Sequence, residues 1–252
     1  MKVYKSKKTA VLMAVVGLLQ PGSLSADELY FSEDDFFYES VDDEVEISDP
    51  FEGLNRYTFV FNDFLYRNVM DPIATTYTTI TPDPVEKGAS NFFRNLNYPV
   101  RLVGNLLQGR VRHAWVETGR FGINTTAGLF GILAPADTME GFERIPPEEI
   151  GQALGSWGIG EGPYLVLPLL GPSNFRDLGG FVGDLAVSPF EQPYSQINHW
   201  NWEWRLAFQG SLFISSSPGI VERYNRMKDS AIDPYSALKN GYTQFRRAAI
   251  EE

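Results

Sequence analysis

Apolar residues crowd the first long helical stretch of this chain on too many sides for an ordinary surface helix. Between Asp49 and Asp71 the sequence places Phe51, Leu54, Tyr57, Phe59, Val60, Phe61, Phe64, Leu65, Tyr66, Val69 and Met70. At 3.6 residues per turn these cover well over half of the circumference. Such a helix is either buried on most sides or turned toward lipid, and the periodicity leaves both open. Its start is marked by Asp49-Pro50-Phe51-Glu52, where an N-cap acid, a proline in the first turn and a following glutamate would satisfy free amides and oppose the helix dipole. Its end is expected near Met70, because a proline at 72 disfavours helical backbone just before it.

The pattern predicts further helices over Pro84 to Phe93, Pro99 to Leu107 and Arg112 to Thr125, with Gln108-Gly109 and Gly128 as stops. From Gly128 to Gly180 glycine and proline are frequent, and only short apolar runs remain, Leu129 to Leu133 and Tyr164 to Leu170. The second lies within Gly162 to Pro172, where Pro168 removes a backbone donor and Gly/Pro pairs close both ends, so a long helix or a central strand is unfavourable. It is also far short of the roughly 20 residues a helical membrane span needs. Irregular apolar backbone of this kind belongs inside protein or along a cavity wall. Helical pattern resumes over Phe175 to Leu185 and Asn201 to Ile214, and Pro218 and Pro234 are expected to open two more helices. The fold class is therefore mainly α, a single domain with an irregular Gly/Pro-rich apolar middle.

Charge and targeting divide the chain of 252 residues further. Lys2, Lys5, Lys7 and Lys8 precede an apolar run from Ala10 to Leu19 and then small residues up to Ala26, the order of a secretory signal peptide over residues 1 to 26. Formal net charge is −11; without those four lysines it is −15, and eleven acids with no base between Asp27 and Pro50 leave only −4 beyond. Residues 27 to 48 read as an acidic disordered linker with interspersed aromatics, and 49 to 252 as the folded domain. The sign of the charge disfavours nucleic acid as a partner. Cysteine is absent, so thiolate catalysis, cysteine metal sites and thioether lipidation are unavailable.

Catalytic constellations are scarce. His113 and His199 are the only histidines and neither has a ligand partner at metal spacing. No Gly-x-Ser-x-Gly elbow occurs, and Gly158-Ile159-Gly160-Glu161-Gly162 has neither the strand before it nor the Lys-Ser/Thr after it that a phosphate loop needs. No catalytic residue, metal or cofactor is expected. Arg176-Asp177, with Asp184 two turns on, is either a structural ion pair or the polar lining of a passage. Trp200, Trp202 and Trp204, near Tyr194 and His199, suit a membrane interface, a protein contact or a core equally.

Several runs resemble one family. Asp49-Pro50-Phe51-Glu52-Gly53-Leu54-Asn55-Arg56, Asn91-Phe92-Phe93-Arg94-Asn95-Leu96, Asn124-Thr125-Thr126-Ala127-Gly128, Leu154 to Tyr164 and Asp233-Pro234-Tyr235 with Tyr242 and Arg246 are similar to the motifs of the VacJ/MlaA family. The resemblance implies a ring of helices in the inner leaflet of a Gram-negative outer membrane, facing the periplasm. It implies phospholipid passing through an amphipathic channel, an outer-membrane porin trimer beside it and a periplasmic lipid carrier. Members are typically lipoproteins, whereas this chain has no lipobox cysteine; and where members carry Asp-x-Ala, Ala134-Pro135-Ala136-Asp137 shifts the acid. On that basis the lipid path is expected to use Arg176, Asp177 and Asp184 on its polar side and Phe61, Leu165 and Leu167 on its apolar side. Two other readings are a structural or virulence-related envelope protein that binds a porin without moving lipid, and a secreted carboxylate hydrolase.

Overall fold

The computed structural model describes residues 47 to 189 and 200 to 251. The expected signal peptide, most of the expected acidic linker, Tyr194 and His199 lie outside those residues. Helix α1 spans Glu52–Leu65 and continues through a π-helical turn, Tyr66–Met70, into α2, Asp71–Ile80. The expected stop at Met70 is thus corrected: Asp71 donates to the Tyr66 carbonyl five residues back, and Pro72 enters at the start of the new helical segment, where its missing donor is tolerated. Asp49 does not act as the side-chain cap of α1 either; it accepts from Asn55 at 2.8 Å and from Lys239 at 3.2 Å.

Helices α3 (Asp83–Leu96), α4 (Tyr98–Leu107) and α5 (Val111–Thr126) fall where the pattern placed them, each extending the expected span by a residue or more. Gly109, at φ +71, ends α4 in the left-handed conformation a glycine adopts without strain. A 3-10 turn, Pro135–Thr138, and the short α6, Ile150–Ser156, follow. The apolar Gly162 to Pro172 stretch is an antiparallel hairpin: β1 (Tyr164–Leu167) pairs with β2 (Gly171–Asn174), with Val166 opposite Pro172. Pro172 is accommodated because the hairpin is only two strands wide and this pair needs no donor from it.

After α7 (Phe175–Val187) comes α8, Trp202–Ser230. Here Pro218 does not open a helix; it sits inside one of 29 residues. Its absent N–H would have bonded the Ile214 carbonyl, and the Ser217 hydroxyl donates to that carbonyl instead, at 2.8 Å. Ser216 likewise donates to the Leu212 and Phe213 carbonyls. Pro234 does open α9, Pro234–Glu251, with the Asp233 carboxylate accepting from the Tyr235 amide and the Ser236 hydroxyl.

Packing runs around the molecule. Helix α8 lies on α2 and α3, α3 on α4 and α5, α4 on α6, α6 on α7 and α9, and α9 again on α8, so five helices touch in a closed circuit. Apolar clustering inside is modest: Met70, Ala74 and Val221 form one group, and Tyr164, Val166 and Tyr235 another.

Candidate functional site

The helices are turned inside out. Helix α1 buries Asn55, Thr58 and Asn62, while Leu54, Tyr57, Val60 and Phe64 are 64%, 75%, 64% and 59% exposed. Of the two readings of α1, the outward-facing one is the structure's. The same inversion recurs: α3 buries Gly88, Asn91 and Asn95, α5 buries Ala114, Glu117, Arg120 and Asn124, and α7 buries Arg176, Asp177, Gly180 and Asp184. Buried side chains in the described residues are more often polar or charged than apolar. A water-soluble domain does the reverse, because each large apolar side chain moved out of water contributes about 1.5–3 kcal/mol. An apolar exterior of this extent marks a surface covered by lipid or protein.

The inward asparagines hold irregular backbone. Asn55, 1% exposed, accepts from the Val166 amide at 2.9 Å and donates to the Tyr164 carbonyl at 3.0 Å, occupying the edge of β1 that faces away from β2. Two turns on, Asn62 donates to the Leu167 carbonyl and accepts from the Leu169 amide at 2.8 Å. That grip stabilises Leu169 at φ +71, a left-handed conformation costly for a branched residue. A side-chain amide carries one donor pair and one acceptor, so it can stand in for a neighbouring strand.

The Leu129 to Leu133 run is held in the same way. Asn95 donates to the Phe130 carbonyl and Asn91 to the Ile132 carbonyl. Leu129 and Phe130 adopt φ +53 and +61 in succession, and Leu129, Phe130, Ile132 and Leu133 are all exposed. The backbone is therefore strained, by about 1–2 kcal/mol per residue, in a turn that presents apolar side chains outward. Beside it Asp137 receives hydrogen bonds from Arg120 and, at 2.6 Å, from Arg144, with Arg94 at 3.6 Å. Burial pushes the Asp137 carboxyl up, but Arg144 and Arg120 outweigh it and hold it at about 2. Asn124 is buried and accepts from the Ala136 amide, so the Asn124-Thr125-Thr126 triplet is a structural element; Thr126 donates to the Gly122 carbonyl.

Arg176, Asp177 and Asp184 come together in a buried junction of α6, α7 and α9. Asp177 accepts from Arg176 at 3.0 Å, Arg246 at 2.9 Å, Tyr242 at 2.6 Å and Asn174 at 2.8 Å. Arg246 also pairs with Glu149 at 2.9 Å. Asp184 is fully enclosed at 0% exposure and accepts from the Ile150 amide. Tyr242 and Arg246 belong to the closing run that resembles the family, whereas Glu149 was not singled out from sequence, since its only signal is that long-range pairing. Phe61 stands apart, 44% exposed on α1, and Leu165 and Leu167 are half-buried on β1. Trp200, Trp202 and Trp204 are exposed at the start of α8, Trp200 before the helix begins. Among the described residues no helix is long and apolar enough to cross a membrane.

The family model for the MlaA lipoprotein matches residues 47–249. The chain belongs to the MlaA lipoprotein family. It is 36% identical over 202 residues to the intermembrane phospholipid transport system lipoprotein MlaA of Escherichia coli strain K12, covering 78% of this chain and 76% of that protein. It is 30% identical over 241 residues to an uncharacterized protein of Rickettsia conorii, covering 91% and 90%. A solved structure described as the structural basis for maintenance of bacterial outer membrane lipid asymmetry superposes with a TM-score of 0.66 at 29% identity, covering 81% of this chain and 99% of that one. The MlaA fold agrees with the mainly α domain read from the sequence.

Proposed function

We propose that this MlaA-family protein moves phospholipid between membranes, withdrawing misplaced phospholipid from the outer leaflet of an outer membrane and so maintaining its lipid asymmetry. The observation that carries the reading is the inversion of α1, with asparagine inward and leucine, valine and phenylalanine outward. A protein built this way is stable with its outer face in hydrocarbon and a polar interior at its centre, which is what transit of a charged headgroup requires. The closed circuit of helices supplies a frame for that interior.

Such transport is non-enzymatic, since a lipid that changes position needs binding surfaces and no bond-making step. Leu165 and Leu167, half-buried on the hairpin, are the apolar wall candidates, and Phe61 faces outward toward acyl chains. Arg176, Asp177 and Asp184 hold the polar frame from within. An outer-membrane porin trimer and a periplasmic carrier are the proposed partners, on the periplasmic side of the outer membrane.

The deciding experiment is mass spectrometry of phospholipid copurifying with the detergent-extracted protein, together with outer-leaflet phospholipid measured in a deletion strain. Lipid recovery and a rise in surface phospholipid are expected. No bound lipid and an unchanged outer leaflet would overturn the reading and favour the porin-binding envelope protein. Leu167→Asp should reduce lipid recovery more than protein abundance; equal losses would place Leu167 in the core instead of the path.

A further inference from the structure

The tryptophans of this chain are all on its outside. Trp115, Trp157, Trp200, Trp202 and Trp204 are the five it has, and they are between 46% and 73% exposed. Tryptophan is highly buried on average in water-soluble domains, so the core reading is excluded for the cluster at the start of α8. A membrane interface or a protein contact remains for Trp200, Trp202 and Trp204.

The helix itself separates those two. At 3.6 residues per turn, positions 202 and 204 point about 160° apart around the axis, and both tryptophans are exposed, as is Glu203 between them. A folded partner meets one side of a helix, and closing over both rings would bury the Glu203 carboxylate as well, a costly step for a charge. A liquid leaflet flows around both sides and leaves the carboxylate among headgroups and water. The outer face of α1 is of another kind: Tyr57, Val60, Phe61 and Phe64 have no exposed charged residue among them, which suits hydrocarbon. At the start of α8 the rings alternate with Asn201, Glu203 and Arg205, the mixture that suits the boundary between headgroups and acyl chains.

The cluster is also tied to the helical frame. The Trp200 ring meets Phe208 edge-on at 5.9 Å, Phe208 meets Phe93 at 5.5 Å, and Phe93 meets Phe92 at 5.3 Å, so a line of aromatic contacts runs from the tryptophans to α3. On the reading above, in which hydrocarbon covers the outer face, we propose that Trp200, Trp202 and Trp204 form an interfacial anchor. They sit where phospholipid headgroups meet acyl chains, and through Phe208 and Phe93 they set the depth at which the closed helical circuit rides in its leaflet.

The test binds the full chain to phosphatidylethanolamine/phosphatidylglycerol vesicles that carry brominated phosphatidylcholine, with bromine at either the headgroup end or the methyl end of the acyl chains. Trp115→Phe with Trp157→Phe leaves the three rings as the only tryptophan emitters. A blue shift on binding is expected, with quenching stronger from bromine at the headgroup end. Trp202→Ala with Trp204→Ala should weaken vesicle binding by about tenfold or more, from the apolar area the two rings bury, while thermal unfolding in detergent stays unchanged. Unshifted and unquenched emission from vesicle-bound protein overturns the anchor and assigns the rings to a protein partner. Quenching strongest from bromine at the methyl end overturns it too, by placing them in hydrocarbon. Either result leaves lipid copurification and the outer-leaflet measurement as they were, whereas failure of the transport reading appears in those two and leaves the quenching in place. Should the Trp115→Phe/Trp157→Phe protein not fold, wild type is compared with Trp202→Phe/Trp204→Phe, and equal quenching of the two overturns the proposal.

Discussion

Replacing Asn55 by leucine isolates the work done by one inward amide. Leucine has the same branched shape and is no smaller, so no cavity is opened and the lost contacts are polar. Asn55 is 1% exposed and supplies the Val166 amide with its acceptor at 2.9 Å and the Tyr164 carbonyl with a donor at 3.0 Å. Tyr164 and Val166 are themselves buried, so both backbone groups would be left without their partner away from water. Each such group costs about 1–3 kcal/mol, and the summed penalty is about 2–6 kcal/mol, a large share of the 5–15 kcal/mol typical of a whole domain. Asp49 would lose one donor but keep Tyr235 and Lys239. The assay is urea unfolding in detergent followed by tryptophan fluorescence, paired with hydrogen exchange at the Val166 amide. A large fall in midpoint and loss of Val166 protection are expected. A destabilisation below about 1 kcal/mol, within the range of an ordinary surface substitution, would refute the view that the hairpin edge depends on this side chain.

Four other outcomes follow from the same geometry. Val60→Ser with Phe64→Ser should leave detergent stability nearly unchanged yet weaken attachment to vesicles, measured by flotation, since each exposed side chain contributes about 1.5–3 kcal/mol only when hydrocarbon covers it. Phe130→Gly should be neutral or up to about 1 kcal/mol more stable in thermal unfolding, because relief of its left-handed strain offsets the added chain entropy, while vesicle binding again falls. Ser217→Ala should destabilise α8 by about 1 kcal/mol or more, as the Ile214 carbonyl loses its only substitute for the Pro218 donor; a simultaneous Pro218→Ala should recover much of that in the same melt. Asp137→Asn should remove an acid-labile element: with a folded value near 2 against an ordinary 3.8, the carboxylate stabilises above about pH 4 and the effect fades as pH falls through 2, so the variant should show a flatter acid-unfolding curve than wild type.

Much of the helical frame was legible in the sequence because its signals are local. Pro99, the Gln108-Gly109 stop and Pro234 act on backbone within one turn of themselves, and α4, α5 and α9 begin and end close to them. Prolines misled where a neighbour compensated. The π turn before Pro72 and the Ser217 hydroxyl before Pro218 restore the missing bonding, and nothing in a proline's own identity announces either. The hairpin was recognisable as neither long helix nor central strand, but its pairing depends on Asn55 and Asn62 more than a hundred residues away.

Residue order alone determined a mostly helical body, an over-wide apolar surface on its first helix and an apolar interruption that ordinary elements do not fit. These follow from side-chain chemistry repeated at helical spacing. Which face of α1 looks outward was decided only by tertiary structure, since an apolar arc has the same periodicity whether protein or lipid covers it. The hydrogen-bond partners of the inward asparagines make that choice. The junction around Asp184 was only partly legible: Arg176, Asp177 and Asp184 stand close in the sequence, but Glu149 and Arg246 meet them only in the folded chain.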